Sequence, residues 1–260
     1  MKLDNKTKLI ISVSNNPTNF GVTIYNYIFS KLNLNYVYLP FKFEDDESVI
    51  RLIRSLDVVG CSVSSPLKSK MIKHVDSMDQ ITKDLNNLNT IKNNDGALHG
   101  YNTDYFGFKS LIENLNLTSA LIYGNGAVAK TILKALIDSG VDKVYLTGRS
   151  PQNIKKFIDN NPVENFSGQE VDLLINATPS GKNDINDGVF EYLNFAKVVI
   201  DLNVTEKDTI LIKESRKRNL EVYKGSEMSI NQLKAQFQIY TEILPNDKVF
   251  QDGLQLYFKT

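Results

Sequence analysis

Lys68 closes the segment Ser64-Ser65-Pro66-Leu67-Lys68, and Asp104 closes Gly100-Tyr101-Asn102-Thr103-Asp104. Shortly after them comes a glycine-rich turn, Gly124-Asn125-Gly126-Ala127-Val128-Ala129. A lysine and a carboxylate upstream of a nucleotide-binding turn point to a proton shuttle working beside a nicotinamide, in an oxidoreductase acting on an alcohol or ketone. Carbonyl reduction needs a hydride donor and a group that protonates the forming alkoxide. A lysine serves if its pKa is lowered toward neutrality, or it steadies the oxyanion as a cation. A neighbouring carboxylate orients it and shares the proton while raising the lysine pKa, so the two act as a coupled unit. Which of them holds the mobile proton stays open.

The turn has the context that gives its glycines meaning. It follows an apolar run and opens a segment of helical period. In such a turn the first glycine permits the bend and the second lets a pyrophosphate approach the backbone. A small third residue lets helix pack on strand, and the phosphates meet the helix N-terminus. Gly124, Asn125, Gly126, Ala127 and Val128 are the expected contacts. The next strand ends Leu146-Thr147-Gly148-Arg149-Ser150, without the acid that usually holds ribose hydroxyls in an NAD site. Arg149 would stack on adenine or pair with a 2′-phosphate, helped by Ser150 and Lys155, because a guanidinium presents a fixed fork of donors. Thr147 ends the same strand. The expected cofactor is therefore NADP. Thr178, within Asn176-Ala177-Thr178-Pro179-Ser180-Gly181, is placed in a loop under the nicotinamide.

These residues need a scaffold. Apolar runs at 9–14, 36–41 and 58–64 read as strands, and 23–32 and 46–56 as helices, with Ile24, Ile28 and Leu32 on one face. This β-α-β-α-β rhythm implies a parallel sheet covered by helices. Residues 88–92 and 97–101 flank Asp95-Gly96 and read as a hairpin. The rhythm restarts with strands at 120–123, 144–147, 172–176 and 198–202 and helices at 127–139 and 151–159. Helices follow at 228–244 and 247–258. The fold class is α/β, in two modules.

Bulk properties narrow the field. The 260 residues are 42% hydrophobic, enough for one large domain or two modest ones, and Lys+Arg and Asp+Glu both number 30. A neutral chain without a basic block gives no support for a nucleic-acid partner. Cys61 is the only cysteine and reads as a small apolar residue on a strand. His74 and His99 share no ligand spacing, so no metal is expected. The opening Met1-Lys2-Leu3-Asp4-Asn5-Lys6 is polar, the apolar run after it is too short for a signal, and no stretch approaches a membrane span. A cytoplasmic protein, monomer or homodimer, acting on a small molecule is the expectation.

The flanking segments resemble the shikimate dehydrogenase family. Ser62-Val63-Ser64-Ser65-Pro66-Leu67-Lys68 is similar to the family's Asn-Val-Thr-Val-Pro-Phe-Lys motif, Leu88-Asn89-Thr90 to Val-Asn-Thr, and Asn102-Thr103-Asp104 to Asn-Thr-Asp. Gly225, Met228 and Gln232 match its Gly-Met-x-x-x-Gln stretch. The resemblance spans nearly the whole chain. It implies NADP-dependent interconversion of shikimate and 3-dehydroshikimate, a chorismate-pathway step of aromatic amino acid biosynthesis. It implies Lys68 and Asp104 as the dyad, with Ser64, Asn89 and Gln232 on ring hydroxyls and Gly225 near the cofactor. It further implies a substrate domain, 1–104 with 227–260, facing a Rossmann-type NADP-binding domain, 105–226, across a cleft.

The departures matter as much. The family's Ser-x-Ser-Pro segment, whose hydroxyls hold the substrate carboxylate, is here Asn19-Phe20-Gly21-Val22, as in a divergent shikimate dehydrogenase-like subgroup. Asn19 and Gly21 therefore stand at substrate-binding positions without a serine. A substrate-facing tyrosine is replaced near Asn203-Val204. Quinate, another hydroxylated cyclic acid or a cyclitol remains an alternative substrate. A methylenetetrahydrofolate dehydrogenase-type enzyme and a catalytically silent nucleotide-binding protein are more distant alternatives.

Overall fold

A computed structural model describes residues 3–182 and 188–260. Met1 and Lys2 of the polar opening stretch, and residues 183–187 within the 105–226 range, lie outside it. The chain divides into two compact units, Met1–Thr103 with Gln232–Thr260, and Asp104–Asn231.

The first unit contains β1 (Lys8–Ser14), α1 (Phe20–Lys31), β2 (Tyr36–Lys42), α2 (Asp46–Ser55), β3 (Gly60–Val63), β4 (Ser77–Met78), α3 (Gln80–Leu85), β5 (Thr90–Asn94) and β6 (Ala97–Tyr101). Its sheet runs β2-β1-β3-β5-β6-β4. The pairs β1–β2 and β1–β3 are parallel, as the β-α-β rhythm requires. The sheet is nevertheless mixed, because the β5–β6 hairpin joins β3 antiparallel. The hairpin turns through Asp95 at φ 53° and Gly96 at φ 96°, the left-handed pair that matches strand twist. Helix α1 starts at Phe20, three residues before the expected Thr23, so Gly21 lies in its first turn. One core cluster on this sheet gathers Ile11, Val13, Val49, Ile53, Val63 and Ile91, with Cys61 buried among them.

The second unit opens with α4 (Thr103–Ile112), whose first residue belongs to the other unit, and continues with β7 (Ser119–Tyr123), α5 (Ala127–Asp138), β8 (Lys143–Thr147), α6 (Pro151–Ile158), β9 (Glu164–Asn165), β10 (Val171–Asn176), β11 (Ala196–Asp201), α7 (Ile210–Lys217) and β12 (Glu221–Lys224). Every pairing in its sheet is parallel, in the order β12-β11-β10-β7-β8-β9. The order reverses between β7 and β10, the switch point of a doubly wound sheet. Helix α8 (Gly225–Thr241) begins in the second unit and ends in the first, where α9 (Asp247–Lys259) follows.

Helices α2, α3, α6, α7 and α9 begin on Asp45, Asp79, Ser150, Thr209 and Asn246, each accepting a backbone N–H one turn on. Helices α1 and α5 start at Asn19 and Gly126 without a side-chain cap. Among the described residues, no helix is long and apolar enough to cross a membrane.

Candidate functional site

The switch point of the second sheet carries a pocket of about 440 Å³. Tyr123, Gly124, Asn125 and Gly126 line it from the end of β7, Arg149, Ser150 and Asn153 from the end of β8 and the start of α6, and Ala177, Thr178 and Pro179 from beyond β10. Six residues expected from the sequence thus share one pocket: Gly124, Asn125, Gly126, Arg149, Ser150 and Thr178.

The two glycines of the turn differ in their reasons. Gly124 has φ 113°, and a Cβ there would stand 2.4 Å from Thr178 Cγ2. Gly126 has an ordinary φ, and a Cβ there would meet nothing within 4 Å. Open space in front of Gly126 and an uncapped helix behind it suit a phosphate group. Ala129 is fully buried, as close helix–sheet packing demands.

A buried polar cluster shapes the far wall. Asn176 Nδ2 donates to Ser180 O at 2.9 Å and to Asp201 Oδ1 at 3.0 Å, while its Oδ1 accepts from Thr178 Oγ1 at 2.7 Å. Asn203 Nδ2 donates to Thr178 O, Ser180 O and Asp201 Oδ1. Burial pushes the Asp201 carboxyl upward, against hydrogen bonds from Thr209, Asn203 and Asn176.

The remaining cofactor expectations have other surroundings. Thr147 O accepts from Gly124 N at 2.8 Å, and its hydroxyl meets Tyr192 OH at 3.1 Å. Ser150 caps α6 through Asn153 N as well as lining the pocket. Lys155 is exposed on α6, and Ala127 and Val128 form the first turn of α5. Gly225 is packed against backbone, since a Cβ would stand 2.3 Å from Leu202 O.

In the first unit, Asn89 and Gln232 meet through Thr103. Gln232 Nε2 donates to Thr103 Oγ1 at 3.0 Å, and Thr103 Oγ1 donates to Asn89 Oδ1 at 3.0 Å. The same Asn89 oxygen accepts from Thr103 N at 2.7 Å and Thr90 Oγ1 at 2.9 Å. Gln236, one helical turn after Gln232, donates through Nε2 to Thr90 Oγ1 at 2.8 Å and accepts at Oε1 from Tyr25 OH at 2.8 Å and Ser62 Oγ at 3.2 Å. Tyr38 OH donates to Ser62 Oγ at 2.8 Å, and Tyr240 OH meets it at 2.9 Å. Ser64, two residues beyond Ser62, is exposed just past β3, and Asn19 is exposed before α1. Gln236, Tyr38 and Tyr240 were not anticipated. A second glutamine four residues after the first on one helix was the available signal for Gln236.

Lys68 is half-buried in the first unit, and its carbonyl accepts from Leu88 N at 3.4 Å. Asp104 is half-buried in the first turn of α4 and opens the second unit. A carboxylate suits that first turn. Burial pushes the Cys61 thiol up, which leaves it inert. His74 Nε2 lies 2.6 Å from Asp46 Oδ2, with Glu47 nearby, and Lys73 pairs the same Asp46 oxygen at 2.8 Å. His99 lies against Ser77. Tyr105 OH donates to Asp138 at 2.7 Å, a packing role.

Known proteins share this fold. The family profile for the shikimate dehydrogenase substrate binding domain matches residues 18–91. The chain is similar to a shikimate dehydrogenase-like protein of Haemophilus influenzae, 29% identical over 96% of this chain and 97% of that one. It is similar to a shikimate dehydrogenase (NADP(+)) of Methanocaldococcus jannaschii, 31% identical over 96% of each chain. Among solved structures, a shikimate 5-dehydrogenase-like protein superposes with a TM-score of 0.91, at 27% identity and full coverage of both chains. A shikimate dehydrogenase in complex with NADP+ superposes at 0.86, with 28% identity, 100% of this chain and 98% of that one.

Proposed function

The chain belongs to the shikimate dehydrogenase family, and from that premise we propose that it is an NADP-dependent alcohol dehydrogenase acting on a hydroxylated ring, with shikimate and 3-dehydroshikimate as the reference pair. The observation that carries the reading is the Gln232–Thr103–Asn89 line of hydrogen bonds in the first unit. Buried Thr103 fixes the orientation of the Asn89 and Gln232 amides, and amides suit the neutral hydroxyls of a ring, which both give and accept hydrogen bonds.

The switch-point pocket is the proposed NADP site. Gly124 and Gly126 shape the phosphate turn, and α5 directs its first N–H groups there. The Arg149 guanidinium, beside Ser150 and Asn153, takes the 2′-phosphate. Asn176 and Asn203 hold the backbone of Thr178 and Ser180 as the opposite wall. NADP, when bound, supplies hydride exchange at the nicotinamide. The protein's share is to orient the ring and move one proton. Lys68 gives a proton to the forming alkoxide oxygen in reduction and removes it from the hydroxyl in oxidation. Asp104 couples to that proton.

The test follows nicotinamide absorbance with NADP and NAD, each with shikimate, quinate and uncharged cyclic alcohols. Turnover of at least one ring alcohol with NADP preferred is expected. Arg149→Ala should shrink the NADP preference by roughly tenfold or more, the worth of one charge-assisted contact. Tight NADP binding with no turnover of any alcohol would instead support a silent nucleotide-binding protein.

A further inference from the structure

The first unit carries a cavity of its own, of about 730 Å³, a size that suits a small-molecule ligand. Lys8 and Leu9 line it from the start of β1, Val59 from just before β3, Lys92 from β5 and Tyr240 from the end of α8. Ser64 and Lys68 follow the opposite end of β3, and the lining shares no residue with the switch-point pocket. The cavity thus lies apart from the residues assigned to ring and cofactor. Asn93 fixes its frame. Asn93 Nδ2 donates to Val58 O at 3.0 Å and Asn93 N to Val59 O at 3.1 Å, which seats the turn at Asp57 against the strand of Lys92.

Lys92 is the unusual group in this lining. Its side chain is 14% exposed, while its ion-pair partner Glu242 is 84% exposed and 3.9 Å away. A pair that long and that wet contributes little. An ammonium has three donors. One of them goes to Tyr240 O at 2.8 Å, and among the described residues no further hydrogen bond takes the other two. Burial lowers the Lys92 pKa, with Lys8 acting in the same direction and Glu242 against it. A carboxylate set against Nζ would offset that desolvation and take the spare donors. The lining also holds Asp57 and Asp95, whose carboxylates have no hydrogen bond or ion pair among the described residues. Lys6, Lys8 and Lys92 stand with Asp57, Asp95 and Glu242, so the lining as a whole is neutral. A dianion would gain from the lysines and lose to the acids. A ligand carrying one charge of each sign gains from both.

We propose that this cavity is a binding site for a small zwitterion, an α-amino acid, whose carboxylate pairs with Lys92 and whose ammonium pairs with Asp57. Leu9 and Val59, both half-buried in the lining, offer apolar surface to its side chain. Lys8 lies over the Tyr36 ring, 5.4 Å from its centroid, which leaves Lys92 as the anchor for the carboxylate. The site takes no part in proton or hydride transfer, and its occupancy is independent of whether the first unit turns over a ring alcohol.

Calorimetry on the full chain, with and without NADP, would titrate each common L-amino acid, then the N-acetyl derivative and the amide of the tightest binder. The free amino acid should bind roughly tenfold or more tightly than either masked form, because each mask removes one charge. Lys92→Met keeps the length of the side chain and loses its charge. Asp57→Asn loses the other charge at a φ of 48°, which asparagine adopts readily. Each variant should weaken amino acid binding roughly tenfold or more while NADP titrates as in the wild type. Asp57 is exposed in a turn, so its variant covers the case where Lys92→Met does not fold. An N-acetyl derivative that binds as tightly as the free amino acid would make the cavity a plain anion site and overturn the zwitterion. Wild-type affinity in either variant, or displacement of the amino acid by NADP, would overturn the site. No binding of any amino acid at millimolar concentration would also overturn it and would leave the proposed function standing.

Discussion

At the scale of single residues, Gly124 and Gly126 separate folding from binding within one turn. Gly124 is required by its left-handed φ and by Thr178, so Gly124→Ala should lower stability by about 1–3 kcal/mol. Gly126 faces open space, so Gly126→Val should leave the melting temperature nearly unchanged yet weaken NADP binding by roughly tenfold or more. Thermal melts and NADP titrations on both variants check this, and equal losses of stability would refute it. Lys68→Ala should lower kcat by roughly 10²–10⁴ with little change in KM. Near-normal turnover would remove Lys68 from the mechanism.

At the scale of elements, Asp172 at the start of β10 ties three strands together. It accepts from Thr118 N and Oγ1 just before β7 and pairs Lys197 of β11 at 2.8 Å. Lys197, then the Thr118 donors, hold its carboxyl below the ordinary 3.8. A folded pKa below the unfolded one means the contribution is present above pH 3.8 and drains away as pH falls toward the folded value. Asp172→Asn should therefore flatten the decline of stability below about pH 4, measured as denaturant midpoints across a pH series. Parallel curves for the two proteins would contradict it. The elements were also the most legible level. Asp95-Gly96 announced its hairpin because only certain residues adopt two successive left-handed conformations. Helix α4 was passed over although Tyr105, Phe108, Leu111 and Ile112 bury at helical spacing, with Gly107 interrupting the run. Strand β4 has two residues and no pattern to read. In α7 the run Ile210-Leu211-Ile212 has no visible period, and only Leu211 and Ile212 bury. The switch-point pocket was legible in part because its turn is local in sequence. The Gly21–Tyr38 and Gln236–Thr90 contacts join segments far apart in the chain, and no local period encodes them.

At the scale of the whole molecule, each unit has its own sheet and core, so damage to one need not reach the other's pocket. Phe250 of α9 is fully buried with its ring edge-on to Phe237 of α8 at 5.7 Å. Phe250→Ala should cost about 3–5 kcal/mol while NADP still titrates with near wild-type affinity under native conditions. Loss of NADP affinity in step with stability would show the units to be energetically inseparable. The first unit is interrupted in the chain: Met1–Thr103 lacks Gln232–Thr260, which supplies Gln232, Gln236, Phe237, Tyr240 and Phe250. The second unit is one uninterrupted stretch, Asp104–Asn231. During synthesis at roughly 5–20 residues per second, the segment translated first must wait for the segment translated last. The second unit can collapse on the ribosome while β1 to β6 still lack their final helices. Translation order and folding order thus run opposite to each other, and the first sheet, complete in its strands but still lacking α8 and α9, is the part of the nascent chain that most needs chaperone cover.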